Sequence, residues 1–223
     1  MDLEKQFQTQ KDRIRTRFLR YTRKAFRMLP ELEKPRILDV GCGSGVPTIE
    51  LARLCHGEII GLDINHDLLA VLTRKIEEAG LSGCVKVVNC SILDMNFTDS
   101  SFDIIWAEGS IYVIGFKRGL QEWKRLLKPG GFMVIHDEKG DVEEKLEHIS
   151  QCRYELLDYF SLDEDTWWAE YFAPLEKLII ETLTKYTDDS KVPGEIHDAQ
   201  REINMFRENP ALNSSVFFIL KKK

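Results

Sequence analysis

Three glycines at alternate positions follow a short apolar run and precede a segment of helical pattern. The run is Arg36 to Val40, and the glycines are Gly41, Gly43 and Gly45. Because glycine has no Cβ, the backbone there can turn tightly and approach a ligand, and the first helical turn beyond it offers N–H groups. This feature predicts a strand, a ligand-binding loop and a helix in succession.

Strand and helix patterns alternate along most of the chain. Runs rich in β-branched and aromatic residues are separated by segments of helical period, which is typical of an α/β protein with a doubly wound, mostly parallel sheet. Lys128 to Gly131 is predicted to be a turn before the fifth strand, and Trp167 to Phe172 an aromatic loop. Strands are predicted at 36–40, 58–62, 84–89, 103–107, 132–136, 154–159 and 215–220, and the first two helices of the domain at 46–55 and 67–79.

The first 29 residues differ from the rest in charge. They hold nine Lys/Arg and three Asp/Glu, whereas the whole chain has 31 basic and 37 acidic residues and a net charge of -6. Apolar residues from Leu3 to Met28 recur at helical spacing. We therefore predict a helical arm at residues 1–29, which acts as a mobile lid and recruits an anionic acceptor, with a partner-binding surface as the alternative, and one domain at 30–223.

Composition and cysteine usage argue against several other classes. No apolar run approaches the roughly 18 residues of a membrane span, and the first residues lack the apolar core of a signal peptide. The five cysteines include no Cys-x-x-Cys pair, so neither a disulfide framework nor a cysteine-based zinc site is expected. His136, Asp137 and Glu138 are adjacent strand residues that point to opposite faces, so we expect no metal site. A cytoplasmic location fits these features.

A second element of a nucleoside site lies 18 residues beyond Gly45. There Asp63 ends the second predicted strand, where a carboxylate can accept both hydroxyls of a ribose. Position 46 is Val rather than the last glycine of the dinucleotide fingerprint, and no Gly-Lys-Ser/Thr follows, which excludes a P-loop. We infer a nucleoside ligand without a pyrophosphate.

These motifs together resemble the class I S-adenosylmethionine-dependent methyltransferases. The resemblance rests on Leu38 to Gly45, Asp63 and Leu127 to Gly131, and covers about residues 36–137. Trp106 to Tyr112 and Trp167 to Pro174 further resemble the small-molecule, quinone-biosynthesis-like group, also called methyltransferase type 11. The resemblance implies a Rossmann-like fold with a seven-stranded sheet, S-adenosylmethionine as cofactor, S-adenosylhomocysteine as product, and a small-molecule methyl acceptor.

The resemblance also implies roles for individual residues along the cofactor. The glycine loop would hold the methionine moiety, Asp63 the ribose, and Ile64 would pack on the adenine, with core packing as the alternative for Ile64. After the third strand the family usually has an acidic residue, where this chain has Ser91, with Asp94 as an alternative partner for the adenine. The implied cofactor-binding residues are Tyr21, Asp39, Gly41, Cys42, Gly43, Asp63, Ile64, Ser91, Ile92 and Glu108.

Catalytic candidates follow the fourth and fifth strands, because chemistry in a doubly wound sheet lies beyond the carboxyl ends of its strands. Methyl transfer from a sulfonium requires mainly alignment and exclusion of water, and an unactivated hydroxyl acceptor also needs a base. We predict that Glu108 touches the cofactor or acceptor, with capping of the next turn as the alternative. His136 is predicted to be a general base because its ordinary pKa lies near 6.5, with a structural hydrogen bond as the alternative.

Aromatic residues are the candidates for acceptor binding. Trp167, Trp168, Tyr171 and Phe172 can form a wall for an apolar or cationic acceptor, with core packing as the alternative. Tyr112, which follows the fourth strand with Glu108, is a further candidate for acceptor binding. On the arm, Phe18 or Tyr21 is expected to face the ligand. The acceptor, the methylated atom and the oligomeric state stay open.

Other functions remain as alternatives at this point. A nicotinamide-dependent dehydrogenase would use the same loop and Asp63, although the sequence after the fourth strand lacks its Tyr-x-x-x-Lys pair. A non-catalytic nucleoside-binding module is the other alternative. Nucleic-acid methylation is disfavoured by the absence of an Asn/Asp-Pro-Pro-aromatic motif after the fourth strand and by the acidic net charge.

Overall fold

The computed structural model describes residues 3–184, 192–209 and 214–223. The chain divides into two compact units. The larger unit comprises Leu19–Ser161 and Val216–Lys223, and the smaller comprises the described residues of Met1–Phe18 and Leu162–Ser215. The smaller unit therefore combines two segments that are far apart in the sequence.

The larger unit is built on a seven-stranded sheet with flanking helices, in the strand order β3-β2-β1-β4-β5-β7-β6. Strand β1 pairs in parallel with β2 and β4, β2 with β3, and β4 with β5. This confirms the predicted α/β, doubly wound and mostly parallel fold. The strands are β1 Arg36–Val40, β2 Glu58–Asp63, β3 Val85–Asn89, β4 Phe102–Glu108, β5 Leu127–Glu138, β6 Tyr154–Leu162 and β7 Ser215–Lys222.

The helices alternate with the strands over most of the chain. Gly45 precedes the third helix in a left-handed conformation, and Asn65 caps the fourth with its side-chain oxygen. The helices are α1 Leu3–Arg15, α2 Leu19–Arg27, α3 Val46–Cys55, α4 His66–Glu78, α5 Phe116–Trp123, α6 Val142–Gln151, α7 Glu164–Trp167, α8 Ala173–Leu183 and α9 Gly194–Glu208.

The centre of the sheet is apolar on both faces because helices flank it. In β1, Ile37, Leu38 and Val40 are fully buried, and all of Ile104 to Ala107 in β4 are fully buried as well. Continuous apolar runs of this kind are expected of strands covered on both sides. The apolar runs that predict these two strands therefore also form the centre of the core.

The predicted turn at Lys128 to Gly131 was wrong, because these residues lie within β5. Phe102 pairs with Leu127, but Ile104 pairs with Phe132, so β5 bulges against β4 at this point. Gly130 has a positive φ of 70° inside the bulge. The residues from Lys128 to Gly131 therefore form a bulge within the strand rather than a turn before it.

The first 29 residues do not form one continuous helix. A 3-10 turn at Thr16–Phe18 separates α1 from α2. Helix α1 belongs to the smaller unit, where Phe7 is buried in the core, and α2 belongs to the larger unit, where Thr22 and Ala25 are buried. The action of this segment as a lid stays a prediction.

The smaller unit is helical within the described residues. The predicted aromatic loop was wrong: α7, a π-helical turn at Trp168–Phe172 and α8 follow one another directly. The core contains Phe7 with apolar residues of the π-helical turn, α8 and α9. These are Tyr171, Phe172, Leu175, Ile179, Ile196, Ala199, Ile203 and Phe206.

Candidate active site

The candidate site lies in the larger unit, where the strand order reverses. Strand β1 has β2 on one side and β4 on the other, so the connections that leave β1 and β4 diverge and open a crevice. The glycine loop follows β1, and Ser110 follows β4. The Ser110 hydroxyl donates a hydrogen bond of 2.5 Å to the carbonyl oxygen of Val40, which ties the two edges of the crevice together.

The three glycines of the loop have different surroundings. All have positive φ, with values of 73° at Gly41, 52° at Gly43 and 78° at Gly45. A Cβ at Gly41 would overlap Ser110, and one at Gly45 would overlap Leu72. A Cβ at Gly43 would meet only Leu68, at 3.9 Å. Gly43 is therefore the loop residue with space beside it for a ligand.

The N–H groups at the start of the loop bond to the protein itself. Both Gly41 and Cys42 donate to the carbonyl oxygen of Leu62, at 2.8 and 2.9 Å, and Gly45 donates to the carbonyl of Cys42. Cys42 is buried. The loop is therefore fixed in shape, and Gly41 and Cys42 offer a ligand their backbone surface rather than these two donors.

Asp63 connects the glycine loop to the end of β2. One carboxylate oxygen accepts from the N–H of Gly43 and the other from the N–H of Asn65, each at 2.8 Å. A carboxylate has about four acceptor positions. Two such positions are left for the hydroxyls of a ribose.

Ile64 lies directly after Asp63 on the same edge. Its side chain is 71% exposed, so the alternative that it packs in the core was wrong. The Asn89 side-chain amide donates to the carbonyl oxygens of Asp63 and Ile64, at 3.1 and 2.9 Å. Asn89 therefore holds the backbone that presents both residues, a role that sequence analysis missed.

Asp39 is buried at the end of β1 and accepts a 2.6 Å hydrogen bond from the Thr48 hydroxyl of α3. Burial raises the pKa of Asp39 to about 7, the Thr48 hydrogen bond lowers it, and the charge of Asp63 raises it further. Asp39 thus links the strand before the glycine loop to the helix after it.

The loop after β3 is held by its own polar groups. The Ser91 hydroxyl accepts from the N–H of Leu93 at 3.2 Å, and its carbonyl accepts from the N–H of Asp94 at 3.1 Å. Ile92 packs partly against the main core, whereas Asp94 is exposed. The assignment of this loop to adenine binding stays a prediction.

Glu108 ends β4 and is held by two donors. The Trp106 indole N–H and the Thr22 hydroxyl both donate to Oε1 of Glu108, at 2.7 and 2.9 Å. Thr22 and Trp106 are positions that sequence analysis missed as partners of Glu108. Beyond Glu108, Tyr112 lies on a 3-10 turn and is 66% exposed.

Tyr21 stands next to Thr22 on α2. The Arg20 guanidinium donates to the Tyr21 hydroxyl at 2.6 Å and lies 4.7 Å from the centre of its ring. The predicted contact of Tyr21 with the cofactor stays a prediction.

His136 follows the pattern of a packing residue rather than that of a base. Its ring stacks on Phe217 with centroids 4.0 Å apart and planes 4° from parallel, and Phe217 stacks in turn on Phe160 at 4.9 Å. Burial lowers the pKa of His136 to about 3. An imidazole with that pKa is a weak base near neutral pH, so the geometry does not support general-base catalysis by His136.

The aromatic candidates of the smaller unit are divided by burial. Tyr171 is 2% exposed and its hydroxyl donates to Glu202 at 3.3 Å, so it is a core residue rather than part of an open wall. Trp167 and Trp168 are half-buried. Trp167 packs against Phe18 with centroids 4.6 Å apart, and its indole N–H donates to the Ser215 hydroxyl at 2.9 Å.

The acidic residues that follow His136 have other partners. Asp137 forms a buried ion pair with Lys145 at 2.6 Å, and Lys145 also donates to the carbonyl of Glu138. Among the residues that the structure describes, no three His, Cys, Asp or Glu side chains group as metal ligands. No helix in the described ranges combines the length and apolar character that crossing a membrane requires.

The strand order, the glycine loop and the carboxylate after β2 define a Rossmann-like fold of the class I methyltransferase type. Residues 37–131, less than half of the chain, match the family model described as a methyltransferase domain. The resemblance of this segment to class I methyltransferases is thereby confirmed.

Curated relatives of known description match about half of the chain. A sterol 24-C-methyltransferase of Aspergillus fumigatus is 33% identical over 106 residues, which are 47% of this chain and 28% of that protein. The methyltransferase GfsG of Streptomyces halstedii is 31% identical over 119 residues, or 53% of this chain and 43% of that protein. The chain therefore matches less than half the length of these two relatives.

Solved structures resemble a larger share of the chain. A 4+2 cyclase, SpnF, superposes with a TM-score of 0.77 and 21% identity over 91% of this chain and 80% of its own. A SAM-dependent methyltransferase from Thiobacillus denitrificans, in complex with S-adenosyl-L-homocysteine, has a TM-score of 0.74 and 18% identity over 91% and 90%. At these identities the similarity establishes the fold.

Proposed function

We propose that this protein is an S-adenosylmethionine-dependent methyltransferase that acts on a small molecule. The observation that carries the proposal is Asp63, whose carboxylate is fixed by the N–H groups of Gly43 and Asn65 beside the open side of the glycine loop. A fixed carboxylate with two acceptor positions left suits the two hydroxyls of a ribose.

The residues of the crevice fit the remaining parts of this cofactor. Ile64 offers an exposed apolar side chain next to Asp63 for the adenine ring, with Ser91 and Ile92 on the neighbouring loop. Glu108 offers a carboxylate for the ammonium of the methionine moiety. Asp39, Gly41 and Cys42 shape the loop between these two ends, and Tyr21 remains a candidate contact.

S-adenosylmethionine supplies the activated methyl group when it is bound, so the chain has to align the acceptor and exclude water. The weak basicity of His136 favours an acceptor that is already nucleophilic near neutral pH. On the acceptor side, exposed Tyr112 and half-buried Trp167 and Trp168 remain the candidates, and Tyr171 is withdrawn as a direct contact. An anionic acceptor and a cytoplasmic location remain part of this proposal.

The neighbour described as a cyclase supports a second candidate, which is a reaction in the same fold that transfers no methyl group.

The test of the methyltransferase proposal is incubation with methyl-labelled S-adenosylmethionine and a panel of amine, thiol, phenol and activated-carbon acceptors, with parallel calorimetry using S-adenosylmethionine and NAD. We expect S-adenosylmethionine to bind, NAD not to bind, and label to reach one acceptor class. Binding of NAD without binding of S-adenosylmethionine would overturn the proposal in favour of a dehydrogenase.

A further inference from the structure

Thr22 of α2 is the buried partner of Glu108. Thr22 is 1% exposed, and its hydroxyl donates to Oε1 of Glu108 at 2.9 Å. The Trp106 indole, fully buried in β4, donates to the same oxygen at 2.7 Å. Two donors of different direction on one oxygen fix both the position and the rotation of a carboxylate.

Helix α2 is itself held against α3. The guanidinium of Arg23, the residue after Thr22, contacts Glu50 of α3 at 2.6 Å, and the Glu50 side chain is 8% exposed. Helix α3 is the helix that begins directly after Gly45. Helix α2 therefore connects the helix behind the loop with the carboxylate that ends β4.

We propose that Thr22 is a positioning residue, which acts through Glu108 on the methionine end of the cofactor. This inference rests on the proposed function. Without the hydroxyl, Trp106 still donates to Oε1, but this oxygen loses one of the two described donors that orient it. An ammonium bound by Glu108 would then be held in poorer geometry, whereas the ribose and adenine contacts near Asp63 would not change.

The test compares two ligands on three variants. S-adenosylhomocysteine carries the ammonium, and 5′-methylthioadenosine keeps the adenosine but lacks the amino-acid part. Thr22→Val removes the hydroxyl at nearly constant volume, and Thr22→Ser keeps it. Thr73→Val is the matched control, because the Thr73 hydroxyl bonds only within α4, to the carbonyl of Leu69, among its described contacts.

We expect Thr22→Val to weaken S-adenosylhomocysteine about fivefold to tenfold, which is less than a direct hydrogen bond to a charged group contributes, because Thr22 acts only through Glu108. Binding of 5′-methylthioadenosine should stay unchanged, and Thr22→Ser and Thr73→Val should bind both ligands like the wild type. If Thr22→Val does not fold, Thr22→Ala removes the same hydroxyl without an added methyl group. Glu108→Gln should reproduce the selective loss, and its combination with Thr22→Val should add little to it.

Two results would overturn the inference while the proposed function stands. One is equal affinity of the wild type and Thr22→Val for S-adenosylhomocysteine, and the other is an equal loss of affinity for both ligands. Failure of the wild type itself to bind S-adenosylhomocysteine would instead refute the proposed function, and the inference with it.

Discussion

His136 and Asp39 are buried titratable residues whose ionised forms are disfavoured by the same cause, desolvation, with opposite consequences for pH dependence. Burial lowers the pKa of the histidine and raises that of the aspartate. Each shift makes the stability of the larger unit depend on pH, so the role of each residue can be tested without a substrate.

For His136, the unfolded chain binds a proton below about pH 6.5 and the folded chain only near pH 3. The contribution of neutral His136 to folding stability is therefore complete above pH 6.5 and decreases as the pH falls. We expect the free energy of unfolding of the wild type to fall by about 2 kcal/mol relative to His136→Phe between pH 7 and pH 5. The measurement is urea denaturation at both pH values.

Phenylalanine at position 136 should also preserve the stack on Phe217, so the variant should be well folded at pH 7. Exposed His197, replaced by Gln, is the matched control and should follow the wild type at both pH values. A wild type that loses no stability relative to His136→Phe would show that His136 is not buried in its neutral form, and would return it to the list of candidate bases.

For Asp39, the folded chain keeps a proton up to about pH 7, whereas the unfolded chain loses it near pH 4. The contribution to stability is thus present at low pH and lost as the pH rises through 7. Asp39→Asn, which can still accept from Thr48, should gain about 2–3 kcal/mol in unfolding free energy relative to the wild type between pH 5 and pH 8. Parallel stability curves for the two proteins would contradict the assignment.

Within the glycine loop, Gly45 is needed mainly for folding, whereas Gly43 has space beside it for a ligand. Gly43→Ala should cost about 1 kcal/mol, since its Cβ has space but its φ is positive. Gly45→Ala should cost about 3 kcal/mol, because its Cβ would also overlap buried Leu72. Urea denaturation measures both costs.

For ligand binding we expect the opposite order. Relative to the stability that each variant loses, Gly43→Ala should lose more ligand affinity than Gly45→Ala. Gly43→Ala should weaken S-adenosylhomocysteine severalfold while it remains folded, because its methyl group enters the space beside the loop. Equal costs of unfolding for the two variants, or undiminished binding by folded Gly43→Ala, would contradict this division of roles.

The elements that could be predicted from the sequence are those with a local pattern. The strand at Arg36–Val40 and the helix at Val46–Cys55 were predicted with their observed bounds, because an apolar run and a helical period specify each of them. Lys128 to Gly131 was predicted wrongly, because Pro-Gly-Gly residues suit a bulge as well as a turn. The bond between Thr22 and Glu108 joins residues 86 positions apart, and no local pattern encodes it.

Burial also separated candidates that sequence could not rank. Glu108 and His136 stand at paired positions of β4 and β5, and both looked like catalytic groups. The packing of Phe217 on the imidazole and the donors to the carboxylate distinguish them. In the same way, exposure keeps Ile64 as a candidate ligand contact, whereas burial makes Tyr171 a core residue.

For the whole molecule, the first 29 residues contribute to the cores of both units. Phe7 packs in the smaller unit, and Thr22 and Ala25 in the larger one. Deletion of this segment would therefore remove buried apolar surface from each unit and lower stability directly. Point substitutions such as Thr22→Val are the better probe of a functional role.

The central claim is that the larger unit binds the adenosine of S-adenosylmethionine through Asp63. The most direct measurement is calorimetry with S-adenosylhomocysteine on the wild type, Asp63→Ala and Asp67→Ala, with urea denaturation of each protein as the check on folding. Asp67 is the matched control, because it lies four residues along the chain and its side chain is 99% exposed. We expect at least about tenfold weaker binding by Asp63→Ala, since it loses charged hydrogen bonds to the ribose, and no change with Asp67→Ala. Undiminished binding by folded Asp63→Ala, or no binding by the wild type, would contradict the claim.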